Sequence, residues 1–301
     1  MKEHEKIIGQ KKSGLASAML SLMLVGILIV IWHLATVKPE FDPTGLTKDK
    51  LMLLEFNGDI IRTEEGGYEH NSEKNQGIPG PLTVFKYSIE QLSEPFHKKG
   101  TNDHGIGHLI VYTIERFFTG FFLASVIAII LGVVIGVNSF LYAAFNPFFQ
   151  VLKPVSPLAW MPLLLYTVKD PQITAILVVF MASLWPTMAN TAFGVKSLRK
   201  EFLHVASILQ LTRSSRLFRI VLPGAAPAIV AGLRISFGAA LVAVVPAEML
   251  LGELGVGYLT WIEWNNLDIS GVLFSIGVIG VVGWSLDLFF NRVANSLTYS
   301  E

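Results

Sequence analysis

Cysteine is missing from all 301 residues, which excludes disulfide staples, thiolate metal centres and a cysteine nucleophile. Charge is scarce: Asp, Glu, Lys and Arg make up 15% of the chain, against about 25% in an average soluble domain. The two signs cancel, 23 against 23, so the chain lacks the global basic footprint of a nucleic-acid binder. No G-x-x-x-x-G-K-[ST] run occurs, so no Walker loop is present to cradle nucleotide phosphates. The glycines of GELGVGYL lack the strand-turn-helix frame of a dinucleotide fingerprint. No cluster of His, Asp and Glu, and no Ser/His set, stands within reach of a bilayer surface, which leaves an integral membrane enzyme without its catalytic groups.

Apolar residues fill the space, at 52% of the chain, in blocks of about twenty residues that read as bilayer crossings. The first follows MKEHEKIIGQKK and runs through GLASAMLSLMLVGILIVIWHLATV. Its length favours a retained helix over a cleaved signal, and the lysines ahead of it predict a cytoplasmic N-terminus. Residues 38–108 are a polar interval richer in acids than bases. Within it Leu82, Phe85, Ile89 and Leu92 share a helical face behind Pro81, which predicts a short helix on the outer membrane surface, with a small soluble cap as the alternative.

Further crossings are expected at about Tyr112–Val137, Ala143–Tyr166, Ile173–Val195, from Pro223 to Pro246, and Val272–Phe290. On the second, Gly120, Ala124, Ala128, Gly132 and Gly136 recur every fourth residue and make a groove for a neighbouring helix. Pro154, Pro157 and Pro162 break the third. The expected division is 1–37 for the first helix and its tail, 38–108 for the extracytoplasmic segment and 109–301 for the core. Six crossings from an inward N-terminus return the C-terminus inside. They also place in the cytoplasm a loop with Lys196, Arg199, Lys200, Arg213, Arg216 and Arg219 against the single acid Glu201, as the positive-inside rule requires.

That loop fits two short amphipathic helices, KEFLHVASIL and RSSRLFRIV, parted near Gln210-Leu211-Thr212. Thr212 is placed to cap the second, and Pro223-Gly224 to turn the chain into the fifth crossing. An interfacial loop that merely obeys the charge rule is the plainer reading. The arrangement, however, resembles the EAA loop of permease subunits of ABC importers, a helix pair that docks in a cleft of an ATP-hydrolysing subunit. Val205, Ala206, Ser207 and Leu222-Pro223 match its pattern, whereas the expected glycine is Gln210, so the turn must close in another way. The resemblance runs from about Gly80 to the end and is nearest the nitrate/sulfonate/taurine/bicarbonate permeases. KPVSPLAWMP (Lys153–Pro162), ASLWPTMANTAFGV (Ala182–Val195), GLRISFG and AEML carry it, and PFHKKGTNDHGIG resembles the nitrate and cyanate/bicarbonate branch.

The resemblance implies an all-α, six-helix type I importer permease of the MetI-like kind, in a bacterial cytoplasmic membrane. The chain would be non-catalytic, without a cofactor of its own, ATP and Mg being bound by a partner ATPase. An extracytoplasmic solute-binding protein and a second permease copy are the other implied partners, and nitrate or nitrite the first expected cargo, with bicarbonate, cyanate or an organosulfonate as alternatives. The coupling residues it implies are Glu201, Val205, Ala206, Ser207, Gln210, Leu211, Arg213, Arg216, Leu217 and Pro223. Broken backbone at membrane depth lines cavities, and helix starts there favour anions. Candidate path residues are therefore Ser156, Trp160, Trp185, Thr187, Asn190, Arg234 and Glu248. Arg234 either helps an anion leave or fixes helices through a carboxylate. Glu248 and Glu253 read as outer loop acids, solvated or docking a receptor. His104 and His108 read as polar interface residues, and Asp287 as a cap or pairing group. A secondary transporter, the rival class, would need buried coupling carboxylates, of which the crossings carry almost none.

Overall fold

The computed structural model describes residues 2–36, 46–57, 60–62, 67–70, 78–198 and 208–297, in two units, Met1–Ile89 and Glu90–Glu301.

In the first unit α1 (Lys2–Thr36) carries the apolar window Met19–Thr36, none of it buried. The polar interval holds more than the single expected helix. It contains α2 (Lys48–Phe56) and an antiparallel ribbon of β1 (Ile60–Arg62) and β2 (Tyr68–His70), in which Ile61 faces Glu69. These elements are too short for periodicity to announce. Helix α3 (Pro81–Ser93) starts at the expected proline, with Leu82, Phe85, Ile89 and Leu92 exposed. The Trp32 indole donates to the Pro79 carbonyl at 3.1 Å, which fixes the entry to α3 against α1.

The second unit contains α4 (Ile106–Val137), α5 (Ser139–Leu152), a 3-10 turn (Pro157–Trp160) with α6 (Met161–Val168), and α7 (Pro171–Lys196). Then come α8 (Arg213–Leu251), α9 (Val256–Asn265) and α10 (Ile269–Leu297). Helix α7 is the centre, packed against both α4 and α8. The small-residue row on α4 is the seat for α7. A Cβ on Gly120 would lie 2.7 Å from the Ile176 carbonyl, and one on Gly136 2.6 Å from Val195 Cβ.

Those contacts rise together in number, so α4 and α7 run parallel. The chain between them must therefore return across the full bundle, and α5 with α6 makes that return. The crossing is broken, as the three prolines led one to expect, and the break is close to a right angle: the two arms meet at 93°. The 14 residues of α5 reach about 21 Å, short of a hydrocarbon core of about 30 Å, so neither arm crosses alone. The break falls before Pro157, and Pro162 sits harmlessly in the first turn of α6. Asn138 Oδ1 caps α5 and Asp170 Oδ1 caps α7 at 2.8 Å, while Lys169 closes α6 at φ 60°.

Thr187 and Gly194 of α7 meet Gly232 and Ala228 of α8 in reverse order, so these helices are antiparallel. Phe117, Phe121, Phe237 and Phe290 tie α4, α8 and α10 together, Phe237 and Phe290 stacking at 4.6 Å. The bundle thus has one end carrying Pro171 and Leu251, and an opposite end carrying Lys196 and Arg213.

Candidate functional site

At the Lys196 end, Glu201, Val205, Ala206 and Ser207 lie outside the described residues. Gln210 adopts φ 48° itself, so the left-handed turn that glycine would have made cheaply is closed by a strained non-glycine residue. Thr212 then caps the next helix as expected, its Oγ1 accepting from Ser215 N at 3.3 Å. The turn anticipated at Pro223-Gly224 is corrected: α8 runs unbroken from Arg213 to Leu251. Pro223 has no N–H to donate to the preceding turn. A π-helical turn at Leu217–Val221, with Leu222 N donating to Leu217 O, widens the helix just ahead of it. Val221 is buried and Leu217 packs with it against Val133, Val195 and Ile229. Leu217, one of the implied coupling residues, therefore packs on the bundle. Arg213, Phe218, Arg219 and Pro223 are exposed, with Leu211 and Arg216 half-buried.

The candidate path residues do not line one cavity within this chain. Ser156 is exposed at the break and Trp160 half-buried beside it. Trp185 faces α4 and α5, packed on the cluster of Ala124, Ile135 and Phe149. Thr187 and Asn190 point the other way, onto α8. Thr187 Oγ1 lies 2.6 Å from Ser236 Oγ, and Asn190 donates to the Pro186 carbonyl at 2.8 Å. An apolar groove of about 670 Å³ in the first unit, between Ile29–His33 and Pro81–Ser88, offers an anion no donors of consequence. His104 is buried near Tyr112, and His108 lies 3.2 Å from the Phe96 carbonyl.

At the Leu251 end stands a polar knot that the sequence reading missed. Arg116 Nη1 donates to Glu248 Oε1 at 2.7 Å and to the Leu254 carbonyl at 2.8 Å, and Nη2 reaches Glu253 at 3.2 Å. Thr113 Oγ1 donates to Glu248 Oε2 at 2.9 Å and accepts from Val256 N at 3.0 Å, and Gly257 N also donates to Glu248. Glu248 is wholly buried, which corrects its assignment to a solvated loop and closes it off from solvent in this chain. Such a pair is tolerable at membrane depth because every charge has a partner. The loop is shaped around it: a Cβ on Gly255 would lie 2.3 Å from the Glu248 carboxyl carbon. The signal was present in the sequence, since Arg116 is an ionisable group inside an apolar run three residues from Thr113, on the same helical face.

A second polar chain lies toward the other end. Arg234 donates through Nε to Asn291 Oδ1 at 3.0 Å, Nη2 turns to the same oxygen, and Asn291 Nδ2 donates to Asp287 at 2.8 Å. The carboxylate partner expected for Arg234 is thus reached through an amide. Arg234 is exposed on a face shared with Ala231, Ile235, Gly238 and Val242. An arginine turned to lipid in a span costs about 3 kcal/mol, so this face is suited to water or to another chain.

Residues 104–299 match the family described as binding-protein-dependent transport system inner membrane component. The chain is 36% identical to the nitrate import permease protein NrtB of Synechocystis sp., covering 72% of this chain and 79% of that one. It is 35% identical to the bicarbonate transport system permease protein CmpB of Synechococcus elongatus over 70% and 77%. Identity to the taurine transport system permease protein TauC of Escherichia coli is 27% over 73% and 79%. Among solved structures, an inward-facing MetNI methionine ABC transporter chain superposes at TM-score 0.53 and 13% identity, covering 64% of this chain and 96% of that one. That likeness establishes the MetI-like fold.

Proposed function

The chain belongs to the family of binding-protein-dependent transport system inner membrane components, a multi-pass, non-catalytic ABC permease subunit, and from there we propose that it carries a small oxyanion, nitrate or nitrite first, in an ATP-driven importer. The cargo reading is supported by the nitrate permease named above. Bicarbonate is the second reading, favoured by an identity only one point lower. Two copies form the path, an extracytoplasmic binding protein delivers the anion, and ATP and Mg are held by partner ATPase subunits at a cytoplasmic elbow around Gln210. Both termini then lie in the cytoplasm.

One observation carries the coupling: α8 is continuous from that elbow to the Arg116–Glu248 knot. Its 39 residues span about 58 Å. A push on the elbow is thus carried to the far end along one helix with no intervening loop. With no native cysteine, a single cysteine at Gln210 reports sidedness directly. Labelling from the extracytoplasmic face overturns the scheme.

The decisive test reconstitutes the chain with an ATP-binding subunit and a solute-binding protein of its importer. ATP hydrolysis rises when the nitrate-loaded receptor is added, and ion-driven uptake by the chain alone would defeat the reading. Ala206→Trp or Ser207→Trp abolishes that stimulation while the chain still inserts. Titration of the receptor with nitrate, nitrite, bicarbonate, cyanate and taurine separates the cargoes.

A further inference from the structure

Arg234 is the described arginine whose place and partners fit neither packing nor topology. It sits 21 residues after Arg213 and 17 before Leu251 on α8, about 32 Å and 26 Å from the two ends by helical rise, near the middle of the helix. Its partner Asn291 is in the last turns of the apolar part of α10. The amide does two things. Its oxygen takes the Nε/Nη2 edge of the guanidinium, which fixes the plane of the group. Its nitrogen is held by Asp287 four residues away, so the amide cannot flip without losing a bond. The acid that balances the charge is therefore kept one side chain away from the arginine. The second edge of the guanidinium, Nη1 with the remaining Nη2 proton, is left without an acceptor among the described residues. Space lies beside it, because a Cβ on Gly238 would meet no atom within 4 Å.

We propose that Arg234, oriented by Asn291 and charge-balanced at a distance by Asp287, is the group that holds the transported oxyanion midway along the path. The inference rests on the importer reading above and names a contact within it. Two parallel N–H donors match two oxygens of a planar oxyanion, a geometry that lysine does not reproduce. A direct Arg–Asp pair would occupy that edge and leave nothing for cargo. With the acid one residue removed, the anion is held while the site stays near neutral, which suits a step that must also let go. Asn291 and Asp287 are positioning residues in this scheme.

The test is uptake into proteoliposomes holding the full complex, with nitrate and, separately, bicarbonate as probes, and receptor-stimulated ATP hydrolysis measured on the same samples. Arg234→Gln is expected to lower uptake about tenfold or more while stimulated hydrolysis stays within about twofold, the mark of a lost cargo contact rather than a lost fold. Arg234→Lys is expected to recover only part of it. Asn291→Asp, which brings a carboxylate directly onto Arg234, is expected to lower uptake likewise with assembly intact. Asp287→Asn is expected to strengthen inhibition by nitrate supplied on the elbow side, an effect that a merely structural role would not produce. Uptake by Arg234→Gln within about twofold of wild type overturns the proposal. If Arg234→Gln fails to assemble, unchanged elbow-side inhibition in Asp287→Asn overturns it instead. Wild-type complex that hydrolyses ATP with loaded receptor yet moves neither probe removes the importer reading, and this contact with it.

Discussion

Arg116 and Arg234 are both arginines on apolar helices of one bundle, and they stand in opposite conditions. Arg116 is 5% exposed and spends its Nη protons on Glu248, Glu253 and the Leu254 carbonyl. Arg234 is exposed and has a single neutral partner. Removal from water is what makes a charge seek every partner within reach; where the chain supplies two carboxylates and a carbonyl, leaving Arg116 Nε alone without an acceptor among the described residues, the charge is architecture. Where it supplies half and holds the group still, the other half is left for something from outside. The knot joins α4, α8 and α9, and the relay joins α8 to α10, so α8 carries one of each.

The contrast breaks most visibly at the knot. Glu248→Ala takes the nearer of its two carboxylates from a buried guanidinium, leaving Glu253 at 3.2 Å, and is expected to destabilise by about 3 kcal/mol, the lower end for a broken buried pair, read as a lower melting temperature in detergent and a lower membrane yield. The double change Arg116→Met with Glu248→Leu should regain much of that loss. A cost below about 1 kcal/mol for the single change would show that water reaches the pair and that the two arginines are alike. Gly255→Ala comes next, since its new Cβ collides with the Glu248 carboxylate. About 2 kcal/mol is expected, as for overpacking, by the same melting assay. At the relay half-buried Asn291 makes one bond to each neighbour, and Asn291→Leu should cost no more than about 1 kcal/mol by the same assay, while altering uptake.

The elbow sharpens the comparison differently. Gln210→Val places a β-branched residue at φ 48° and should cost about 1–2 kcal/mol locally, seen as weaker receptor-stimulated ATP hydrolysis. Gln210→Gly should be nearly silent, because relief of strain offsets added chain entropy. The smallest effect is expected at the loop before α4. The Glu94 carbonyl first, then Asp103 through hydrogen bond and charge, raise the His97 pKa above its ordinary 6.5, against opposing burial and Lys99. A raised folded-state value means that the loop's extra stability is fully present below the ordinary value and is lost as pH rises through the raised one. Proteolysis of the Glu94–His104 loop should therefore quicken on going from acid to mildly alkaline pH, and Asp103→Asn should move that rise to lower pH.

Much of the fold was legible because it follows from local rules. A run of about twenty apolar residues spans a bilayer wherever it stands, so α1, α4, α7, α8 and α10 were visible, and the glycine row of α4 announced a close neighbour. Capping chemistry needs only adjacent residues, which is why Thr212 was readable. Three things were not. The right angle between α5 and α6 depends on where the chain must re-emerge, and that is dictated by the parallel packing of α4 and α7. The uninterrupted passage of α8 through Pro223 depends on a π turn whose Val221 is buried. The two-stranded ribbon in the first unit is shorter than any period that could reveal it.

The candidate site divides along the same line. Trp185 and Thr187 are two residues apart and were grouped by their neighbourhood in sequence, yet on a helix that spacing turns them to different neighbours. Arg116 and Glu248 are 132 positions apart, and nothing local relates them.

By itself, then, the sequence determined that the chain crosses a membrane several times, that a basic elbow separates two of the crossings, and which family's motifs it carries. These properties depend on composition, on charge placement and on residues within a few turns of each other. Only the tertiary structure decided which charges are spent inside the bundle and which are left open. Partnership between ionised groups is a matter of distance in space, and in a helical bundle that distance bears no fixed relation to distance along the chain.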